Sequence, residues 1–285
     1  MPAHVFHHYV PRFYLKSWTL NYQITRFRWL NGSLEVRQVG VNRNAGQNHL
    51  YALRAAPNDP QFIEREFMGR LVDEPAANVY HHLCKSTVPL SDFQRNVWTR
   101  FLISLRVRMP DVIERLRTEG EFELRRNLEE QSEEYNALRG ADDPTSMLGF
   151  LELQQPGLVE DFGIRMLPDL LNHEPVFKKI YEMYWWTHSF KNSSVELLTS
   201  DRPLIVTPNL DQASCVIALP LTPRLAFFAT HSLEIAKQVT STPISRLARA
   251  VNQDIVRLAR EYLYSQNNNQ EKFVRKYFAP QGYEK

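Results

Sequence analysis

Residues 23–39 read QITRFRWLNGSLEVRQV, and the class of fold follows from how this stretch is read. Apolar and polar side chains alternate on both sides of Leu30-Asn31-Gly32-Ser33, the pattern of strands with one buried face. Asn-Gly is the pair that best tolerates the positive φ angles of a two-residue turn. The reading is an antiparallel hairpin. A third short strand is expected near 48–53, NHLYAL, completing a small antiparallel sheet.

Working outward, strand signals return only late in the chain. YEMYWWTHSF (181–190) passes from helix to strand, and VELLTSD, PLIVTP, ASCVIALPL and RLAFFAT follow, rich in β-branched and aromatic residues. The middle has a helical period. From Pro60, Ile63, Phe67, Leu71, Glu74 and Asn78 fall on one side of a helix ending before Pro89. A second helix starts at the Ser91-Asp92 cap, carries Val97, Phe101 and Leu105 inward and breaks near Pro110. Residues 119–140 are charged and helical, 141–156 form a loop excursion with a short helix, and 157–183 are helical again. A last helix runs from Ser232 to Ser265 with an interruption near Pro243, and 267–285 is expected to be a flexible tail. Strands from both ends of the chain around a mainly helical middle make an α+β fold, read as a single domain over 1–285.

Composition narrows the function classes. The 285 residues carry 34 Lys+Arg against 32 Asp+Glu, a net charge of +2, so any surface for a polyanion must be local. The arginines of 91–117 (Arg95, Arg100, Arg106, Arg108, Arg115 and Arg117) offer one, although the acidic stretch 119–134 favours solvated helix faces exchanging salt bridges. Cys84 and Cys215 are the only cysteines, which excludes a disulfide framework and a cysteine-rich zinc site. With no apolar run long enough to span a bilayer and no signal-peptide pattern, the expectation is a cytoplasmic protein with no membrane partner. Neither a phosphate-binding glycine loop, nor HExxH, nor GxSxG is present. Any site must be assembled from distant segments.

HHYVPRFYLKSW (7–18) is one such segment. His7 and His8 are adjacent, so an extended chain points them to opposite faces; one is structural, and His8 is the candidate ligand or general base. Pro11 stiffens the segment, with Phe13, Tyr14, Leu15 and Trp18 as anchors. Glu74, three after Leu71, lies on an apolar stripe and needs a cation, and Arg108, three after Leu105, needs an anion, so the two are expected to pair. LLTSDRP (197–203) places Asp201 at a strand end, as a cap for local amides or as a catalytic carboxylate. In AVNQDIV (250–256), Asn252 and Asp254 flank an apolar face, and either could reach inward.

These residues resemble a bacterial family, domain of unknown function forty-two thirty-eight, through its N-terminal HYVP-x-FYL signature. The helix around Glu74, LRVRMP, TSDRP, PLTPRLAFFA and AVNQDIV extend the likeness over most of the chain. The resemblance implies a bacterial or phage-associated cytoplasmic protein and groups His8, Glu74, Arg108, Asp201 and Asn252 as candidate positions, with Arg106 and Arg108 competing for one motif arginine. It implies no settled activity.

Two functions are consistent with this. In the first, a metal-dependent phosphodiester hydrolase of defence or toxin type, His8, Glu74, Asp201 and Asp254 hold a divalent Mn²⁺, Mg²⁺ or Zn²⁺, Arg108 or Arg106 holds the phosphate, Asn252 assists, and a nucleic acid is the partner. In the second, a non-catalytic binding or sensor module, the same residues form a buried polar network, and Tyr181, Tyr184, Trp185 and Trp186 line a cleft or interface. Geometry discriminates: converging ligand atoms favour the metal, direct carboxylate–guanidinium pairing the network.

Overall fold

The computed structural model describes residues 5–56, 58–86 and 88–278. Ten short strands are described: β1 (Phe6–His8), β2 (Ile24–Leu30), β3 (Ser33–Val39), β4 (Gly46–Asn48), β5 (Tyr184–Ser189), β6 (Thr199–Ser200), β7 (Ile205–Thr207), β8 (Val216–Thr222), β9 (Leu225–Thr230) and β10 (Leu263–Ser265). All their pairings are antiparallel: β1 with β4, a sheet of order β3-β2-β10-β6, and a sheet of order β5-β9-β8-β7. The fold is α+β, with strands near both ends and a helical middle.

The hairpin forms as read, with Leu30 opposite Ser33 and the turn at Asn31 (φ 49°) and Gly32 (φ 77°). The third strand does not. β4 stops at Asn48, His49 takes φ 57°, and β4 pairs with β1 rather than with the hairpin. Leu50, Tyr51 and Leu53 are buried all the same, so their apolar spacing reports burial of an irregular segment.

Twelve α-helices are described: α1 (Arg12–Lys16), α2 (Glu74–Lys85), α3 (Asp92–Val107), α4 (Pro110–Glu130), α5 (Ser132–Leu138), α6 (Met147–Gln154), α7 (Leu158–Arg165), α8 (Leu167–Leu171), α9 (Glu174–Tyr181), α10 (Leu233–Ser241), α11 (Ile244–Leu258) and α12 (Glu271–Tyr277). A π-helix, Ile63–Asp73, runs directly into α2. The Ser91 cap is a full capping box with Gln94, and the chain breaks before Pro110 as expected. α4 crosses α7 so closely that a Cβ on Gly163 would lie 1.7 Å from the Leu116 carbonyl oxygen. Two expectations at the C-terminal end fail. The last helix stops at Leu258, and Leu263–Ser265 is a central strand between β2 and β6. Residues 267–278 are no loose tail, since α12 buries Val274 and the Phe278 carbonyl accepts the Trp29 indole N–H; residues 279–285 lie outside the described ones.

The opening segment is built into the core. Tyr14, Leu15 and Trp18 are fully buried, and Phe13 packs on Tyr80 and Phe101. Pro11, at φ −60° and ψ 141°, precedes α1, so the chain turns helical directly after it. The Tyr14 hydroxyl lies 2.6 Å from both Thr199 Oγ1 and the Pro220 carbonyl, tying α1 to β6 and β8. These anchors fix where His7, His8 and Tyr9 stand.

Candidate functional site

The π-helix decides which acid meets Arg108. Inward side chains recur at Ile63, Phe67, Met68 and Val72, a step of about 4.4 residues per turn. At the α-helical 3.6 residues per turn the stripe would have continued through Leu71 and Glu74. Instead Leu71 is 58% exposed, Glu74 is exposed, and Asp73 turns inward. The expected Glu74–Arg108 pair is therefore corrected to Asp73–Arg108. Arg108 is fully buried, donating from Nη1 to Asp73 Oδ2 at 3.2 Å, from Nη2 to Oδ1 at 2.8 Å and from Nη2 to Ser104 Oγ at 2.6 Å. Arg106, its competitor for the motif position, is exposed.

The same pitch brings a second carboxylate to this network. Glu64 and Asp73 are nine residues apart, about two turns of a π-helix but about two and a half of an α-helix, where they would face apart. Glu64 accepts the His8 backbone N–H, and among the described residues its Oε2 and Arg108 Nε are buried without a hydrogen-bond partner. Burial pushes its carboxyl up to about 7, with Arg108 pulling down and Asp73 pushing up. Periodicity counted at 3.6 residues missed Glu64 and Asp73; no local signal marks the π-helix.

The histidines close the network. His7, fully buried, accepts the Tyr51 backbone N–H at Nδ1 (2.9 Å) and stacks on the Tyr51 ring, so Nε2 carries the proton and donates to Gln61 Oε1. Tyr51 donates its hydroxyl to the Arg108 carbonyl at 3.0 Å. His8, also buried, donates from Nε2 to the Asn42 carbonyl at 3.1 Å and packs edge-on against Phe6.

Beside this network lies a cleft of about 400 Å³. Tyr9 and Asp201 line it together with Met109, Pro110 and Asp111 at the start of α4, and Arg202, Arg260 and Glu261 complete the wall. Asp201 is buried; Oδ1 accepts the Arg260 N–H at 3.0 Å, and Oδ2 accepts those of Glu261 and Tyr262 at 2.6 and 3.1 Å. Burial raises its carboxyl above the usual range, and these three amides oppose that. They also stop the last long helix and aim β10 into the sheet. Arg202 pairs with Asp111 across the cleft, and Glu261 pairs with Arg28 at 2.6 Å.

The other candidates stand elsewhere. Asn252 is buried, accepting the Leu198 N–H at Oδ1 and donating to the Glu196 carbonyl from Nδ2, both at 2.8 Å. Asp254 pairs with Arg257 at 2.9 Å. Among the described residues, no group of three or more His, Cys, Asp or Glu side chains could hold a metal ion. The donors expected to form one are bonded to amides (Asp201), to a carbonyl (His8) or to a guanidinium (Asp254), or face solvent (Glu74). These residues do not fit a divalent-metal centre.

Apart from the exposed Arg106, the arginines of 91–117 are similarly engaged: Arg108 and Arg117 pair inward with Asp73 and Asp161, Arg100 bonds Asn172, and Arg115 faces Glu119. Arg95 lies 3.9 Å over the Trp185 ring and 5.3 Å over Tyr181, beside a groove of about 350 Å³ that Trp186 also lines. No helix among the described residues is long and apolar enough to cross a membrane.

A comparison with curated proteins and one with solved structures each found no match. The family model described as "Protein of unknown function (DUF4238)" matches residues 7–269, well over half of the chain, so the chain belongs to that family.

Proposed function

We propose that the chain is a non-catalytic binding or sensor module that takes a small polar organic molecule in the cleft over Tyr9 and Asp201. The observation that carries the reading is convergence. HHYVP supplies Tyr9, LRVRMP supplies Met109 and Pro110, and TSDRP supplies Asp201 and Arg202, so three segments far apart in the chain meet at one concave surface. Its volume lies in the range of small-molecule sites, roughly 300–1,000 Å³. The direct Asp73–Arg108 pairing and an Asp201 held by three backbone amides favour a rigid frame around a ligand over a metal-dependent nuclease.

The test is a thermal-shift and ligand-observed NMR screen of the full chain with neutral, anionic, cationic and zwitterionic metabolite-sized compounds. Tyr9→Trp, which fills the cleft, is expected to abolish binding. In parallel, single- and double-stranded DNA and RNA are incubated with the protein and Mn²⁺, Mg²⁺, Zn²⁺ or chelator. Metal-dependent cleavage that disappears in Asp201→Asn would overturn this reading in favour of the hydrolase.

A further inference from the structure

We infer that the cleft takes a free amino acid, with its ammonium at the floor beside Asp201 and Tyr9 and its carboxylate at the N-terminus of α4. The inference rests on the cleft being a binding site and adds the class of its ligand.

The floor holds polar groups with unused hydrogen-bonding capacity. A carboxylate has about four acceptor directions, and among the described residues Asp201 uses three, leaving one on Oδ1 beside the bond from the Arg260 N–H. Tyr9 is 6% exposed, lines the cleft, and its hydroxyl makes no hydrogen bond among the described residues. Burial is the main reason the Tyr9 phenol titrates high, and Asp201 adds to it, so it remains neutral in a negative field. Buried polar atoms left unpaired in this way call for a bound polar group. An ammonium supplies three N–H donors and a positive charge that suits both a carboxylate and aromatic faces.

The rim offers the complement. α4 is 21 residues long, and Met109 before it provides no side-chain cap. The first N–H groups of a helix have no carbonyl acceptor of their own and attract anions. Arg202 stands beside them, held by Asp111. The signs of the wall decide between ligand classes. A simple anion would meet Asp111, Asp201 and Glu261, and a simple cation would meet Arg202 and Arg260. A zwitterion satisfies both sets, and Tyr9, Met109 and Pro110 give its side chain an apolar wall.

Isothermal titration of the full chain with two matched sets tests this: L-phenylalanine, phenethylamine and 3-phenylpropanoate, and L-leucine, isoamylamine and isocaproate. The amino acid of at least one set is expected to bind, with its single-charge analogues weaker by about tenfold or more. Tyr9→Phe deletes a hydroxyl that bonds nothing among the described residues, so it should keep the melting temperature and weaken the amino acid roughly tenfold. Equal binding of an amine would overturn the α4 subsite, equal binding of an acid the floor subsite, and unchanged affinity in Tyr9→Phe the location. If neither amino acid binds while other compounds in the wider screen do, the ligand class is wrong and the cleft reading stands. If nothing binds in either experiment, both fall.

Discussion

Asp73→Ala removes two hydrogen bonds from a guanidinium that has no exposure to water. Stripping one partner from a buried ion pair costs about 3–5 kcal/mol. Three features of this site reduce that figure. The Asp73 side chain is 23% exposed, so water already screens the pair from one side, and Ser104 keeps its bond to Nη2. A further carboxylate, Glu64, ionises more readily once Asp73 no longer repels it. The expected loss is about 2–4 kcal/mol, read by urea denaturation at pH 7 with far-UV circular dichroism. Glu74→Ala, one residue along and exposed, should stay within about 0.5 kcal/mol. Combining Asp73→Ala with Glu64→Gln should cost about 1 kcal/mol more than the sum of the single changes, because the spare counter-charge is then gone. A loss below about 1 kcal/mol in Asp73→Ala, an equal loss in Glu74→Ala, or strict additivity would refute the π-helical phase from which the network is argued.

Glu64 should also set a pH dependence. Its folded carboxyl is raised from 4.5 to about 7, so the folded state holds a proton that the unfolded state has released, and its contribution to stability falls as pH rises through that window, by at most about 1.4 kcal/mol per pH unit. Glu64→Gln lacks this loss, and its stability relative to the parent should improve by about 2–3 kcal/mol between pH 4.5 and 7.5; a constant difference across the range would count against it. Asp201→Ala leaves three buried amide donors unsatisfied and is expected to cost about 3–5 kcal/mol, with hydrogen exchange accelerated first at 260–262; protection there equal to the parent's would show another acceptor. His8→Ala should cost about 1–2 kcal/mol, more than an exposed ligand would, since its ring is buried and bonded. Phe13→Ala should cost about 2–4 kcal/mol, both changes being read from thermal and urea unfolding.

The hairpin, the Ser91 capping box, the break at Pro110 and the aromatic anchors of HHYVPRFYLKSW were legible in the sequence because each depends on neighbours in the chain. A turn needs residues that accept positive φ, a cap needs a side-chain oxygen before the first turn, and proline has no N–H to give. The identity of the site was legible only in part. Tyr9, Arg108 and Asp201 sit in stretches that stood out by composition, yet Asp73 and Glu64 enter through a π-helix that brings one to Arg108 and the other to the His8 N–H, partners distant in the chain. Leu263–Ser265 became a strand for a similar reason: Asp201, some sixty residues earlier, captures three amides and ends the helix before it. Local preferences differ by about a kilocalorie per residue or less, whereas a buried carboxylate or guanidinium left without partners costs several. Where such a charge had to be satisfied, the partner that could reach it determined the backbone, and that partner was known only once the chain had folded.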